Sequence, residues 1–174
     1  MVRSQAVDAP VQTLLLERNG WVPNNPRLPV LIYIKAIAVQ QNDPADLIEK
    51  TFTDNGWPPQ WRYGVYDYHH YHTQGHEVLG VASGFARVML GGPDGRVLEV
   101  SAGDVLLLPA GTGHCNVESS DDFLVVGAYP PGQHPDICRK APSPEQLASI
   151  LKLPFPEHDP VQGLHGAVSR YWSD

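Results

Sequence analysis

Basic residues are scarce in this chain: 12 Lys and Arg stand against 19 Asp and Glu, a formal net charge of −7. Nucleic-acid binding draws its affinity from many cations set against phosphates, so this deficit argues against a DNA or RNA partner. Long apolar runs are missing as well. No stretch approaches the ~20 residues of a membrane-spanning helix, and Leu14-Leu15-Leu16 is too short for a signal-peptide core. A cytoplasmic protein with no membrane partner is expected. Cysteine is nearly absent. Cys115 and Cys138 make neither a disulfide framework nor a Cys-x-x-Cys zinc pattern, and two free thiols are expected rather than one bridge. Charged residues are only 18% of the chain and apolar ones 42%, which excludes a disordered solvating chain.

What remains is enough for one domain of 174 residues with a sizeable core. Two residue classes are abundant. Gly (16) and Pro (17) together exceed the usual share of about 12%, and they are spread along the chain. That punctuation suits many short strands and turns better than a helical bundle. Histidine is the second: of eight, His69, His70, His72, His76 and His114 fall in the middle of the chain.

With no internal repeat, the sequence reads as a single domain over 1–174, with a core at about 60–130, N-terminal strands and a helix at 10–56, and a C-terminal covering segment at 131–174. Strands are expected at Val11–Glu17 and Leu28–Ala38, the second rich in β-branched residues as in a strand buried on both faces. A helix follows, with Asp43 as cap, Pro44 in its first turn, Leu47, Ile48 and Phe52 as its apolar stripe, and Asn55-Gly56 as its stop. From Trp61 the pattern alternates with regular turn signals. It predicts strands near Arg62–His72, Glu77–Ser83, Phe85–Leu90, Arg96–Val100, Val105–Leu108, Gly113–Glu118 and Phe123–Tyr129. Near the end, Ser143, Pro144 and Gln146 form a capping box that starts a second short helix, and the stretch from Asp159 to Trp172 reads as a segment packing back on the core.

Side chains two apart on a strand share a face. His70 and His72 therefore point one way, with Tyr66 and Tyr68 beside them, while His69 points to the other face. Glu77, past a Thr73-Gln74-Gly75 turn, can enter the same interior, and His114 follows a Pro-x-Gly turn later in the chain. Three imidazoles and a carboxylate make a mixed N/O ligand set of the kind that holds a divalent Fe, Mn, Ni, Co or Zn ion. Four protein ligands leave coordination positions open for a small-molecule ligand. His-x-His alone is weak, because most strand histidines are ordinary hydrogen-bonded residues.

The longer spacing is far more specific. Gly64-x5-His70-x-His72-x4-Glu77-x6-Gly84 matches the whole first motif of the cupin superfamily, and Gly103-x5-Pro109-x-Gly111-x2-His114 most of the second. The chain thus resembles a cupin. Through Gly56-Trp57-Pro58-Pro59-Gln60-Trp61, His76-Glu77-Val78-Leu79-Gly80, Asp122–Tyr129 and the tail ending in Trp172, it resembles the YjlB-like cupins nearly throughout. The resemblance implies an all-β double-stranded β-helix, a small jelly-roll barrel, with two short helices outside the barrel. It also implies metal ligation by His70, His72, Glu77 and His114. It names no reaction, since cupins include dioxygenases, isomerases, decarboxylases, sugar-binding regulators and storage proteins. One position departs from the pattern: the second motif carries Asn four residues after its histidine, and here that residue is Glu118, with Asn116 two residues earlier.

Further candidates follow from position. Glu77 is a possible base, Tyr66 and Tyr68 are possible proton donors, and Arg87, if it faces inward, is an anion clamp for substrate, with Asn116 and Glu118 nearby. His76 and Cys115, each next to a ligand candidate, are expected to face away. Three functions stay open: a metal-dependent enzyme of dioxygenase or isomerase type on a small polar molecule, a non-catalytic binding or sensing protein, and a structural protein with a vestigial site. The apolar N-terminal strands suit pairing across a two-fold axis, so a homodimer is expected.

Overall fold

The computed structural model describes residues 10–40 and 42–173; the single-domain reading over 1–174 also takes in 1–9, 41 and 174, which lie outside them. The described residues form β1 (Val11–Leu14), β2 (Val30–Tyr33), α1 (Pro44–Asp54), β3 (Pro59–Tyr63), β4 (Glu77–Ser83), β5 (Phe85–Leu90), β6 (Arg96–Ser101), β7 (Val105–Leu108), β8 (His114–Ser119), β9 (Leu124–Ala128), α2 (Pro144–Lys152) and α3 (Ala167–Tyr171). All the strand pairings are antiparallel, in a six-stranded sheet of order β1-β2-β7-β4-β9-β3 and a three-stranded sheet of order β6-β5-β8.

Alternation along the strands builds two apolar layers. Val30, Ile32, Leu79, Val81, Leu106, Leu108 and Val125 of the large sheet pack against Ala86, Val88, Leu90 and Val100 of the small one. The opposite parity of the large sheet, including Leu31, Tyr33, Val78, Val105, Leu107 and Val126, is covered by Ile48 and Phe52 of α1 and by Val168 and Trp172 of the tail. Gly80 makes the helix contact possible: a Cβ there would lie 2.5 Å from the Ile48 side chain. Helix α1 starts where expected, with the Asp43 side chain accepting from the Asp46 N–H at 3.1 Å. Both halves of the Ser143–Gln146 capping box form.

Four expectations fail. The sheets do not close into a barrel; β1 and β3 end one sheet, β6 and β8 end the other, and no ladder joins them. The strand expected over Arg62–His72 is the one that would have run from one sheet to the other, and it stops at Tyr63. Beyond it the backbone divides its hydrogen bonds among separate stretches. The Tyr66 carbonyl accepts from Asn116 N–H, His70 exchanges a pair of bonds with His114, Tyr71 exchanges a pair with Cys138, and the His72 carbonyl accepts from Gly111 N–H. Bonds to four partners satisfy the chain without building a continuous ladder. Among the described residues the helices number three rather than two, because α3 is only five residues long and has no capping side chain to announce it. The N-terminal strands are also shorter than expected, ending at Leu14 and Tyr33.

The tail is held by a buried carboxylate. Asp159 accepts from the Tyr33 hydroxyl and from the backbone N–H groups of Val161, Gln162 (both 2.8 Å) and Val168 (3.1 Å). The indoles of Trp57 and Trp172 add bonds to the His158 and Pro29 carbonyls. Asp159→Ala leaves those donors buried without an acceptor, so it is expected to cost about 3 kcal/mol or more. A lower urea midpoint at unchanged slope is the measurement that checks it.

Candidate metal centre

His70 and His72 sit on the irregular stretch after β3, Glu77 opens β4 opposite Leu108, and His114 opens β8 opposite Leu90. Leu108 and Leu90 both belong to the layer between the sheets, so Glu77 and His114 face that interior by strand parity. The paired bonds between His70 and His114 bring the third imidazole in, leaving the His70 and His114 rings 4.0 Å apart between centroids. Nitrogens of His70, His72 and His114 lie within 4.8 Å of one another, and all three side chains are buried. This is a cluster that can coordinate a metal ion. Glu77 Oε1 is 3.2 Å from His114 Nε2 and 3.4 Å from His72 Nε2.

Each imidazole is oriented from behind. His70 Nδ1 meets the Tyr68 carbonyl at 3.0 Å, His114 Nδ1 meets the Thr112 carbonyl at 2.9 Å, and His72 Nδ1 meets the Asp136 carbonyl. A carbonyl only accepts, so each Nδ1 carries a proton and each Nε2 is aimed at the others, where it can take a proton or an ion. His72 Nε2 is buried and has no hydrogen-bond partner. The Asp136 carboxylate fixes its own segment by accepting from Thr73 N–H (2.7 Å), Thr73 Oγ1 (2.5 Å) and Gln74 N–H (3.1 Å).

The electrostatics match. Burial, then the neighbouring His114, pushes the His70 pKa down to about 3, so that ring is neutral. Burial also opposes charge on His72, but the Glu77 carboxylate outweighs it and raises that pKa. Burial alone would raise Glu77; His72 and His114 reverse this and hold its carboxyl well below the usual range. Without an ion, these shifts favour a proton on His72 beside the Glu77 carboxylate. A metal ion bound at His72 Nε2 would take the place of that proton.

A cavity of about 530 Å³ opens in front of the cluster, walled by Trp61, Tyr66, Leu79 and Ile137 among others. Of the expected substrate and proton-transfer residues, Tyr66 lines it. Tyr68 stacks on Tyr66 (5.0 Å between centroids, 11° between planes), beneath the Arg139 guanidinium, and does not. Arg87 is not an inward clamp. Ala86, Val88 and Leu90 take the inner face of β5, which leaves Arg87 exposed, 3.9 Å from Glu118. Glu118 shares parity with His114, yet the β5–β8 register shifts between Arg87 and Val88, and this bulge turns Glu118 out to solvent. Asn116 bonds Ser119 Oγ at 3.0 Å and does not line the cavity either. His76 faces the tail, with its Nδ1 accepting from Ala110 N–H and its ring 5.0 Å from that of Trp172. Both cysteines are free.

Sequence reasoning missed Tyr129. Its hydroxyl accepts from Trp61 Nε1–H at 2.7 Å and lies beside Glu77; burial and that carboxylate push its pKa up, so it keeps its proton. Parity with Val125 along β9 was the available signal, since Val125 belongs to the inter-sheet layer.

Uncharacterized protein YjlB of Bacillus subtilis (strain 168) is 34% identical over 163 residues, an alignment covering 92% of this chain and 96% of that protein. The chain belongs to the YjlB family. Among solved structures, a DUF861-family protein from Thermotoga maritima shares 21% identity over 48% of this chain and 88% of its own, at a TM-score of 0.32. Procruciferin, an 11S globulin from Brassica napus, shares 17% over 73% of this chain and 26% of its own, also at 0.32. The chain matches no family model. No described helix is long and apolar enough to cross a membrane.

Two outcomes follow from the geometry. Asp136→Ala frees the segment that orients His72 and is expected to weaken Zn²⁺ binding about 10- to 100-fold while circular dichroism stays unchanged; competition titration against a chromogenic chelator measures it. Because the ion displaces a proton from a ring whose pKa is raised, affinity falls as pH drops through that raised value, which the same titration at successive pH values reads.

Proposed function

We propose that the chain is a metal-dependent enzyme of dioxygenase or isomerase type, acting on a small molecule with a polar chelating head. One divalent transition ion (Fe, Mn, Ni, Co or Zn) would be held by Nε2 of His70, His72 and His114 and by the Glu77 carboxylate. The observation that carries this reading is the set of three Nδ1–H groups tied to backbone carbonyls, which leaves three Nε2 bases convergent and that of His72 without a partner. Such a donor set fits borderline divalent ions rather than Mg²⁺ or Ca²⁺. When bound, the ion supplies Lewis-acid chemistry or, for iron, redox chemistry.

The chain's own residues do the rest. Glu77, kept ionised, can take a proton at its carboxylate, and Tyr129, kept protonated beside it, can give one at its hydroxyl. Trp61 holds that hydroxyl in place through its indole N–H. The apolar walls limit water around the reacting group. Outside the site, β1, an edge strand among the described residues, supports pairing of two copies into a homodimer.

Protein purified without a chelating tag is expected to carry a transition metal close to one per chain. His72→Ala and His114→Ala are expected to lose it with circular dichroism unchanged; equal metal content in both variants and the wild type overturns the site. Oxygen uptake on Fe²⁺ reconstitution with a candidate substrate supports the dioxygenase branch, and product formation without oxygen use supports isomerisation. Saturable ligand binding with no product overturns the enzyme reading in favour of a binding protein.

A further inference from the structure

We propose that the cavity selects ligands with one chelating polar head and a planar aromatic body, the body stacking against Tyr66 between Tyr63 and Ile137; the head's placement rests on the metal reading above. Large apolar side chains left exposed are usually scattered, yet Tyr63 (65% exposed), Tyr66 (41%) and Ile137 (51%) all gather at this one mouth. Exposed apolar surface rimming a cavity is the mark of a ligand site.

The aromatic wall is also braced in a way that free surface tyrosines are not. Tyr63 and Tyr66 are 6.3 Å apart between ring centroids, Tyr66 stacks on Tyr68, and Tyr68 carries the Arg139 guanidinium 3.9 Å above its ring. Tyr66 then meets His70 edge-on at 5.4 Å, so the ladder runs from the mouth to the cluster. Trp61 adds a second flat surface, seated on Gly127, where a Cβ would come within 2.1 Å of the indole.

Charge points to the same class of ligand. Among the described lining residues the one guanidinium is Arg62, and it is already engaged by Asp46 (2.6 Å) and Glu49. The Glu77 carboxyl group lines the same space, and the chain carries a net charge of −7. A second carboxylate or a phosphate on the ligand finds no free cation there. A polyhydroxylated body would set many of its hydroxyls against ring faces and the Leu79 and Ile137 side chains, which offer no hydrogen bond.

The test uses three hydroxamates on Zn²⁺-loaded protein, measured by calorimetry: acetohydroxamate, benzohydroxamate and 4-carboxybenzohydroxamate. Benzohydroxamate is expected to bind about tenfold or more tighter than acetohydroxamate, with the carboxylated probe no tighter than benzohydroxamate. Tyr66→Ala and Ile137→Ala, both at exposed positions, are expected to shrink the phenyl preference while metal content and acetohydroxamate affinity hold, and Tyr66→Phe is expected to restore it. Equal affinities for the first two probes, or tightest binding of the carboxylated one, overturn the proposal and leave the metal reading standing. In metal-free protein, saturation-transfer NMR compares benzamide with acetamide. A benzamide preference lost in Tyr66→Ala upholds the aromatic wall even if no metal ever binds, and no preference there counts against it.

Discussion

Three backbone carbonyls determine what this molecule can do. An imidazole free to rotate presents either nitrogen in either tautomer, and three such rings packed together would settle into hydrogen bonds with one another. The carbonyls of Tyr68, Thr112 and Asp136 prevent that by each taking an Nδ1–H. The three remaining nitrogens are then lone-pair donors forced into one buried volume, where they can only be satisfied by a proton or a cation. Glu77 completes the set by drawing a proton onto His72 in the ion-free state.

Those carbonyls come from unrelated places: the irregular stretch after β3, the turn before β8 and the segment after β9. Their convergence is therefore a property of the tertiary fold. Strand parity places Glu77 and His114 in the inter-sheet layer, and the His70–His114 bridge ties the irregular stretch to the edge of the small sheet. The C-terminal segment then closes over His72, held by the Asp136 carboxylate on Thr73 and Gln74. Further along, Asp159 and Trp172 lock the tail against the far face of the large sheet. The His70 and His114 rings are tied to carbonyls two residues back in their own segments, whereas the His72 ring depends on a carbonyl 64 residues away.

How much of this the sequence disclosed follows from the range of each signal. Helix α1 and the start of α2 were legible because capping chemistry is local, written in Asp43 and in Ser143 with Gln146. Strands β4, β5 and β7 were legible to the residue, since turns bound them and alternation fills them. The motif spacing brought His70, His72, Glu77 and His114 to notice, and the fold does gather these four. That the sheets stay open rather than closing into a barrel was not legible, because nothing local distinguishes a strand that spans two sheets from a stretch whose bonds go to Asn116, His114, Cys138 and Gly111 in turn. Arg87 and Glu118 were misplaced for a related reason: period-two parity holds only until a bulge, and the bulge is set by the partner strand. The role of Asp136 depends on a contact across 64 residues, between its carbonyl and His72, that no spacing rule encodes.

The buried Glu77 carboxylate also bears on why the cluster persists at all. A carboxylate 4% exposed, with only His72 and His114 in ion-pair contact among the described residues, costs several kcal/mol to desolvate, and imidazoles are poor counter-charges because each must itself be protonated against burial. An apolar side chain at Glu77 would join Leu79, Leu106 and Leu108 in the same layer at no such cost. The fold therefore spends stability at this point, whereas at Asp159 the carboxylate oxygens meet four donors. Where one buried carboxylate is fully hydrogen-bonded and another leans on two imidazoles with a bare nitrogen beside it, the second has the chemistry of a ligand and the first that of a brace. A cation held by the three imidazoles would supply what a His72 proton supplies only partly: positive charge beside the buried Glu77 carboxylate.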